Sequence, residues 1–225
     1  MRGEKRETRS EKREVSKAKY QTIVAIMLFV GIVVIDQCIK IAVKTGMYLH
    51  ESIRVTNWFY INFIENNGMA FGWDFLDKYL LTLCRIVFVV AIVWFIARCI
   101  RWGISWGYLT CLTLVVAGAA GNIIDCVFYG MMFNNPPIPM HAEFVPFGTG
   151  YSTLFLGRVV DMFYFPLMEW NWPHWMPCIG GEHFIFFSPV FNFADAAITS
   201  GIIAIILFHR NRLYGAEGNG ESDET

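Results

Sequence analysis

Two aspartates lie in parts of the chain that are otherwise strongly apolar. Asp161 directly follows two valines, and Asp195 stands near the start of a hydrophobic run that ends near Phe208. A carboxylate at the centre of a membrane-spanning helix costs about 2.5–3.5 kcal/mol even on the mildest insertion scale. Such a residue usually faces a partner or a polar cavity, so the two acids are candidates for paired-carboxylate chemistry.

If Asp161 and Asp195 face each other, they do not both ionise easily, and the pair shares a proton. The ionised member can then draw a proton from water while the protonated member supports a carbonyl oxygen. This is general acid–base hydrolysis without a metal or a covalent intermediate. Ion-coupled transporters also bury acids. The two residues alone therefore leave a hydrolase and a small proton-coupled transporter as alternatives.

Other polar residues in apolar sequence have helical spacing. Asp36 and Lys40 are four residues apart, so they lie on one helix face and are close enough to pair. Their pairing either orients the first span or lets them contact a substrate, and the spacing does not decide between the two. Asn122 and Asp125 are three residues apart, and so are Asn192 and Asp195. Each amide can donate a hydrogen bond to a carboxylate or a substrate carbonyl.

The composition predicts a membrane protein. The chain has 225 residues, of which 55% are hydrophobic and 16% aromatic, too apolar for an ordinary soluble domain. About 20 apolar residues are needed to cross a hydrocarbon core of roughly 30 Å, and four stretches qualify: about 21–44, 79–100, 107–129 and 189–209. The six cysteines have no metal-ligand spacing, so no metal site is predicted.

The basic residues predict the orientation of these spans. They concentrate in a tail over residues 1–20, in the tight connection after the second span and just after the fourth. The positive-inside rule places all three in the cytoplasm. Both termini are then cytoplasmic, segments 45–78 and 130–188 are external, and residues 211–225 form a disordered cytoplasmic tail. Four acids then gather toward the external leaflet as one polar site: Asp36, Asp125, Asp161 and Asp195.

The external segments have patterns of their own. Residues 53–64 are rich in β-branched and aromatic side chains and predict one or two short strands, followed by a turn at Asn66-Asn67-Gly68. A sheet there either holds an extended peptide or packs on the helix ends. Prolines in 130–156 and 164–188 exclude a further span, and tryptophans there suit the headgroup level.

Taken together, the motifs resemble those of the lipoprotein signal peptidases (signal peptidase II), a family of four-span aspartic peptidases. Any one motif is weak, whereas five in the family's order over roughly residues 21–210 are specific. They are Asp36-x-x-x-Lys40, Asn66-x-Gly68-x-Ala70-Phe71, Gly121-Asn122-x-x-Asp125, Val159-Val160-Asp161 and Phe191-Asn192-x-Ala194-Asp195.

The resemblance implies that Asp161 and Asp195 form a catalytic dyad. Seven residues would line or brace the pocket: Asp36, Lys40, Asn66, Gly68, Asn122, Asp125 and Asn192. The implied substrate is a bacterial prolipoprotein whose cysteine carries diacylglycerol, cleaved just before that cysteine in the inner membrane. Membrane lipid and globomycin-type peptide inhibitors are further implied partners, and neither a cofactor nor nucleic acid is expected.

The predicted fold class is therefore a membrane α-helical protein: a four-transmembrane-helix bundle over residues 21–210, with a small external β-sheet cradle and a long inserted external segment. Two features depart from the family pattern. The family usually has an arginine where this chain has Cys126, and Arg158 is the residue predicted to supply the missing cation. Segments 130–156 and 164–188 look inserted and are expected to form an external lid or lipid-facing platform.

Overall fold

The computed structural model describes residues 4–67, 78–166, 168–177, 181–186 and 189–210. In this part of the chain, three helical segments are long and apolar enough to cross a membrane: Arg13–Gly46, Lys78–Arg101 and Trp106–Met132. The first belongs to helix α1 (Glu4–Gly46), which runs without a break from the basic tail into the predicted first span, and the second is helix α2 (Lys78–Arg101).

The third long segment changes its helical geometry near its end. It begins as α3 (Trp106–Ile124), passes through a π-helical turn (Asp125–Tyr129) and ends as the short helix α4 (Gly130–Met132). Single π-helical turns are rare and often occur at functional sites. This one begins at Asp125, which the sequence singled out.

A four-stranded antiparallel sheet lies beside the helices. Strands β1 (Ser52–Arg54) and β2 (Tyr60–Asn66) confirm the strands predicted over 53–64, and β3 (Val159–Tyr164) and β6 (Val190–Phe191) complete the order β1-β2-β3-β6. The sequence analysis missed β3, which carries Asp161. Strands β4 (Met168–Asn171) and β5 (His183–Phe186) form a separate two-stranded sheet within the predicted inserted segment.

The pairing of β2 with β3 includes a bulge next to the acid. Asp161 lies opposite Ile64 and Phe163 lies opposite Ile61, so two residues of β2 face only Met162 of β3. Bulges of this kind re-aim side chains and are common beside active sites. Met162 is buried under the sheet while Asp161 points to the helices, where its hydrogen-bond partners lie.

The last apolar helix, α5 (Phe193–Phe208), has 16 residues and corresponds to the fourth predicted span. Glycines of α3 allow both α5 and α1 to pack very close to α3. A Cβ at Gly118 would collide with the backbone oxygen of Ala194 at the start of α5, and one at Gly121 would lie 2.5 Å from an Asp36 carboxylate oxygen. The small residues before Asn122 thus let these backbones approach, as the sequence predicted.

The predicted inserted segment 130–156 folds back onto the end of the third helical segment. Ser152 donates a backbone hydrogen bond to the Gly130 oxygen, and Gly157 donates one to the Cys126 oxygen, each at 2.8 Å. These bonds deliver the chain directly into β3. Gly68, Cys178 and the predicted tail 211–225 lie outside the described residues.

Candidate active site

The start of α5 fixes the position of Asp195. Asn192 is the N-cap of the helix and Asp195 is its third residue, and the two form a reciprocal capping box. The backbone amide of Asp195 donates to the Asn192 side-chain oxygen at 2.9 Å, and the backbone amide of Asn192 donates to Asp195 Oδ2 at 3.4 Å. Asp195 is therefore held at a helix N-terminus, an environment that stabilises negative charge.

Asn192 also reaches the other acid. Its side-chain amide donates to Asp161 Oδ1 at 2.6 Å and to Asn122 Oδ1 at 3.1 Å. Asn192 is completely buried, and its bond to Asp161 is buried as well. One asparagine thus connects strand β3 and the N-terminus of α5, and it holds Asp161 and Asp195 at the same place.

The environment of Asp161 shifts its protonation toward neutral pH. Burial, which leaves only 4% of the residue exposed, raises the pKa of the Asp161 carboxyl, and the negative charge of Asp195 raises it further. Hydrogen bonds from Asn192 and Asn66 act in the opposite direction, and the resulting pKa is about 7 instead of 3.8. Near neutral pH, Asp161 therefore exchanges between its acid and its ionised form.

Lys40 connects the polar side chains that lie behind the two acids. Its ammonium lies 2.9 Å from Asp36 Oδ2, 2.8 Å from Asp125 Oδ2 and 2.8 Å from Asn122 Oδ1. Asn122 in turn donates to Asp195 Oδ1 at 2.8 Å, and Asp125 accepts from the Val160 amide at 3.3 Å. Lys40 is thus connected to Asp195 through an amide and to the backbone beside Asp161 through a carboxylate.

Asp36 contacts the helix that carries Asp195. Its Oδ1 accepts a hydrogen bond from the Ala194 backbone amide at 2.9 Å. Asp36 therefore pairs with Lys40, as the spacing predicted, and also anchors the first turn of α5. Both residues are almost fully buried behind the site, so the geometry favours the bracing role over direct substrate contact.

A polar residue of α1 was missed in the sequence analysis. The Gln37 side chain donates to Asp125 Oδ1 at 2.9 Å and accepts from the Tyr129 hydroxyl at 3.1 Å. It connects α1 to the π-helical turn. The available signal was a second polar residue directly beside Asp36 in an apolar helix.

The two aspartates line one cavity of about 290 Å³. The cavity lies between β2, β3 and the helices α2, α3 and α5, and its polar lining residues are Asn66, Arg85, Asn122, Asp161 and Asp195. Phe88 and Ile198 are among its apolar lining residues, and the Phe88 side chain is largely exposed on α2. A larger apolar cavity of about 630 Å³ between α1, α2 and α3 contains neither aspartate.

Arg158 is engaged elsewhere. Its guanidinium is 2.9 Å from Glu65 Oε2 and packs over the Tyr151 ring at 5.1 Å, and Lys44 pairs with the same glutamate. Arg158 does not contribute to the lining described for the 290 Å³ cavity. Its predicted role as the missing cation remains a prediction that this geometry does not favour.

Apolar helices joined to a small antiparallel sheet, with a polar cavity where they meet, define the fold of the described residues. Two solved structures described as a bacterial membrane enzyme share it. One has a TM-score of 0.57 at 22% identity and covers 89% of this chain and 94% of that one. The other has a TM-score of 0.55 at 23% identity and covers 82% and 90%. At such identities the likeness concerns the fold alone.

The sequence comparisons are more specific. The family model of signal peptidase (SPase) II matches residues 28–210. A lipoprotein signal peptidase of Porphyromonas gingivalis is 48% identical over 185 residues, 82% of this chain and 81% of that protein. Another, of Amoebophilus asiaticus, is 36% identical over 190 residues, 79% of this chain and 74% of that protein. The chain belongs to the signal peptidase II family, and nothing in these comparisons supports the transporter alternative.

Proposed function

We propose that this chain cleaves diacylglyceryl-modified prolipoproteins just before the lipidated cysteine, with Asp161 and Asp195 as a catalytic dyad. The broader part, a peptidase of the bacterial inner membrane that removes signal peptides from prolipoproteins, follows from family membership. The observation that carries the dyad is the pair of hydrogen bonds through which Asn192 holds both acids at one cavity.

The proposed mechanism divides the roles between the two acids. Asp161, with its raised pKa, is protonated and donates a hydrogen bond to the scissile carbonyl oxygen. Asp195, at the N-terminus of α5, is ionised and takes a proton from water as the water oxygen attacks the carbonyl carbon. The same carboxyl then gives that proton to the departing amide nitrogen. The C–N bond breaks, leaving a new carboxyl terminus on the signal peptide and a free amine on the lipidated cysteine.

Support for a lipidated substrate comes from the cavity walls. Its polar groups gather around the acids, whereas Phe88 and Ile198 give it an apolar side on α2 and α5. Acyl chains remain in the membrane on that side while the peptide bond reaches the carboxylates. Globomycin-type peptide inhibitors are proposed to occupy the same cavity.

The proposal includes four spans, with α5 as the fourth. Sixteen residues at 1.5 Å each cover about 24 Å, so α5 crosses only with its flanking residues, starting from the level of the sheet. Arg98 and Arg101 end α2, and the basic residues of the first helix lie at the same end of the bundle. The positive-inside rule places that end in the cytoplasm, and the dyad on the external side.

The test uses purified protein in lipid vesicles with two forms of one prolipoprotein, with and without diacylglycerol on the cysteine. We expect cleavage of the lipidated form at the bond before the cysteine, read by mass spectrometry, and little or no cleavage of the unlipidated form. Equal cleavage of both forms, or cleavage at another bond, would contradict the proposed specificity.

A further inference from the structure

An arginine that the motifs did not single out lies at the active-site cavity. Arg85 is on α2, about 10 Å along the helix from its first residue at a rise of 1.5 Å per residue. It lines the same 290 Å³ cavity as Asp161 and Asp195. One guanidinium nitrogen, Nη1, donates to the sulfur of Cys126 at 3.4 Å.

The contact with Cys126 connects α2 to the third helical segment, at the residue directly after Asp125. Cys126 is buried in the π-helical turn of the third helical segment. The guanidinium of Arg85 therefore reaches, from a different helix, the turn that carries Asp125.

We propose that Arg85 supplies from α2 a positive charge that faces the active-site cavity and binds the substrate there. The inference rests on the proposed function: its free N–H groups donate to a peptide carbonyl oxygen of the bound prolipoprotein beside the scissile bond. Cys126 is the small partner that leaves room for this guanidinium.

The charge of Arg85 is free for such a ligand. The ion pairs found among the described residues involve Lys40, Lys44 and Arg158, and none of them uses Arg85. A thiol sulfur is a weak acceptor, so it orients the guanidinium without neutralising it. A charged guanidinium inside a membrane protein usually faces a polar cavity or a ligand, and here that cavity contains the two acids.

Arg158 is the rival candidate, and its surroundings differ. Its guanidinium already pairs with Glu65 and packs over Tyr151, which matches a role in fixing β2 against β3. The two arginines therefore make opposite predictions. Loss of Arg85 should impair substrate turnover in a folded protein, whereas loss of Arg158 should mainly lower thermal stability.

The experiment measures kcat and KM for the diacylglyceryl-modified precursor, with thermal unfolding of each variant in the same detergent. Arg85→Leu should lower kcat/KM by roughly 10- to 100-fold, the loss of a charged hydrogen bond, and Arg85→Lys should lower it less. The matched control is Arg98→Leu on the same helix, where the arginine packs between Trp94 and Trp102, and its kcat/KM should stay near wild type.

The decisive variant moves the arginine from position 85 on α2 to position 126 on the third helical segment. Adding Cys126→Arg to Arg85→Leu should recover at least about tenfold of the lost kcat/KM, whereas Cys126→Arg alone should reduce activity because two guanidiniums then compete for one place. If Arg85→Leu does not fold, Arg85→Gln and the Arg85→Cys/Cys126→Arg exchange replace it. A merely structural arginine would not be rescued in this way.

Three results would overturn the inference: wild-type kcat/KM in folded Arg85→Leu or Arg85→Gln, no rescue by arginine at position 126, or a loss confined to Arg158→Gln. Failure of the proposed function itself is seen separately. In that case the wild-type protein would not cleave the precursor, or Asp161→Asn would cleave it normally, whatever residue stands at position 85.

Discussion

At the scale of single residues, the site consists of two acids held by amides and one buried lysine. Asn192 hydrogen-bonds to both acids, and Asn122 connects Asp195 to Lys40. Breaking a buried charge pair costs about 3–5 kcal/mol because one charge is left uncompensated. The network behind the two acids is therefore sensitive to any single truncation. Asp161 itself is costly to ionise, because its carboxylate is buried beside Asp195, and a neutral side chain would remove this cost.

The free-energy cost of ionising Asp161 gives a pH-dependent prediction for Asp161→Asn. The carboxyl ionises near 3.8 in the unfolded chain and near 7 in the fold. The unfolded state therefore releases the proton first, so wild-type stability falls as pH rises between these values and stays reduced above 7. Asparagine removes this loss. We expect the Tm of Asp161→Asn minus that of wild type to be larger at pH 8 than at pH 5.

Thermal unfolding in detergent at the two pH values checks this prediction. Glu143→Gln, which removes an exposed carboxylate between the third helical segment and β3, is the control for a general charge effect. The same Tm difference at pH 5 and pH 8 for Asp161→Asn would show that Asp161 titrates like an ordinary surface acid, and the raised pKa would be wrong.

At the scale of elements, the approach of α3 to α5 sets the distance between Asn122 and Asp195. Gly118 is in contact with the start of α5 without a side chain between them, and Asp36 anchors the same turn from α1. The π-helical turn that follows α3 directs Asp125 toward Lys40 and β3. Helix packing and the proposed chemistry therefore depend on the same residues.

Gly118→Ala tests this coupling. The new Cβ would collide with the Ala194 backbone oxygen, and because that oxygen is backbone, α5 must shift. We expect a loss of about 1–3 kcal/mol of stability, as for overpacked cores, together with lower cleavage activity. Gly31→Ala on α1 is the matched control, since a Cβ there meets nothing within 4 Å, and a helical glycine replaced by alanine gains roughly 0.5–1 kcal/mol. Equal Tm values for the two variants would contradict the account.

Local spacing predicted local contacts, and distant contacts were not predictable from it. The Asp36–Lys40 ion pair follows from four-residue spacing, and β1 and β2 follow from their composition. Strand β3 was missed because its partner β2 lies nearly 100 residues earlier, so only the fold shows that Asp161 belongs to a sheet. The contact of Arg85 with Cys126 joins residues that are 41 positions apart on two different helical segments, and no pattern within either segment indicates it.

At the scale of the whole molecule, the proposal requires the basic end of the bundle in the cytoplasm and the sheet outside. This orientation is open to direct measurement. In intact cells, a membrane-impermeant maleimide should label Trp175→Cys, a highly exposed position near the β4–β5 sheet. It should not label Ser16→Cys on the basic part of α1 until the cells are opened. Labelling of the unsubstituted protein gives the background from the native cysteines, and the reverse pattern would invert the topology.

The central claim is that Asp161 and Asp195 together hydrolyse the bond before the lipidated cysteine. Its most direct test is the cleavage rate of a diacylglyceryl-modified prolipoprotein by purified wild type, Asp161→Asn and Asp195→Asn. General acid–base groups contribute about 10²- to 10⁴-fold each, so each variant should lose at least about 100-fold in kcat while keeping a cooperative thermal unfolding transition. Cleavage at the wild-type rate by either folded variant would contradict the paired-carboxylate account.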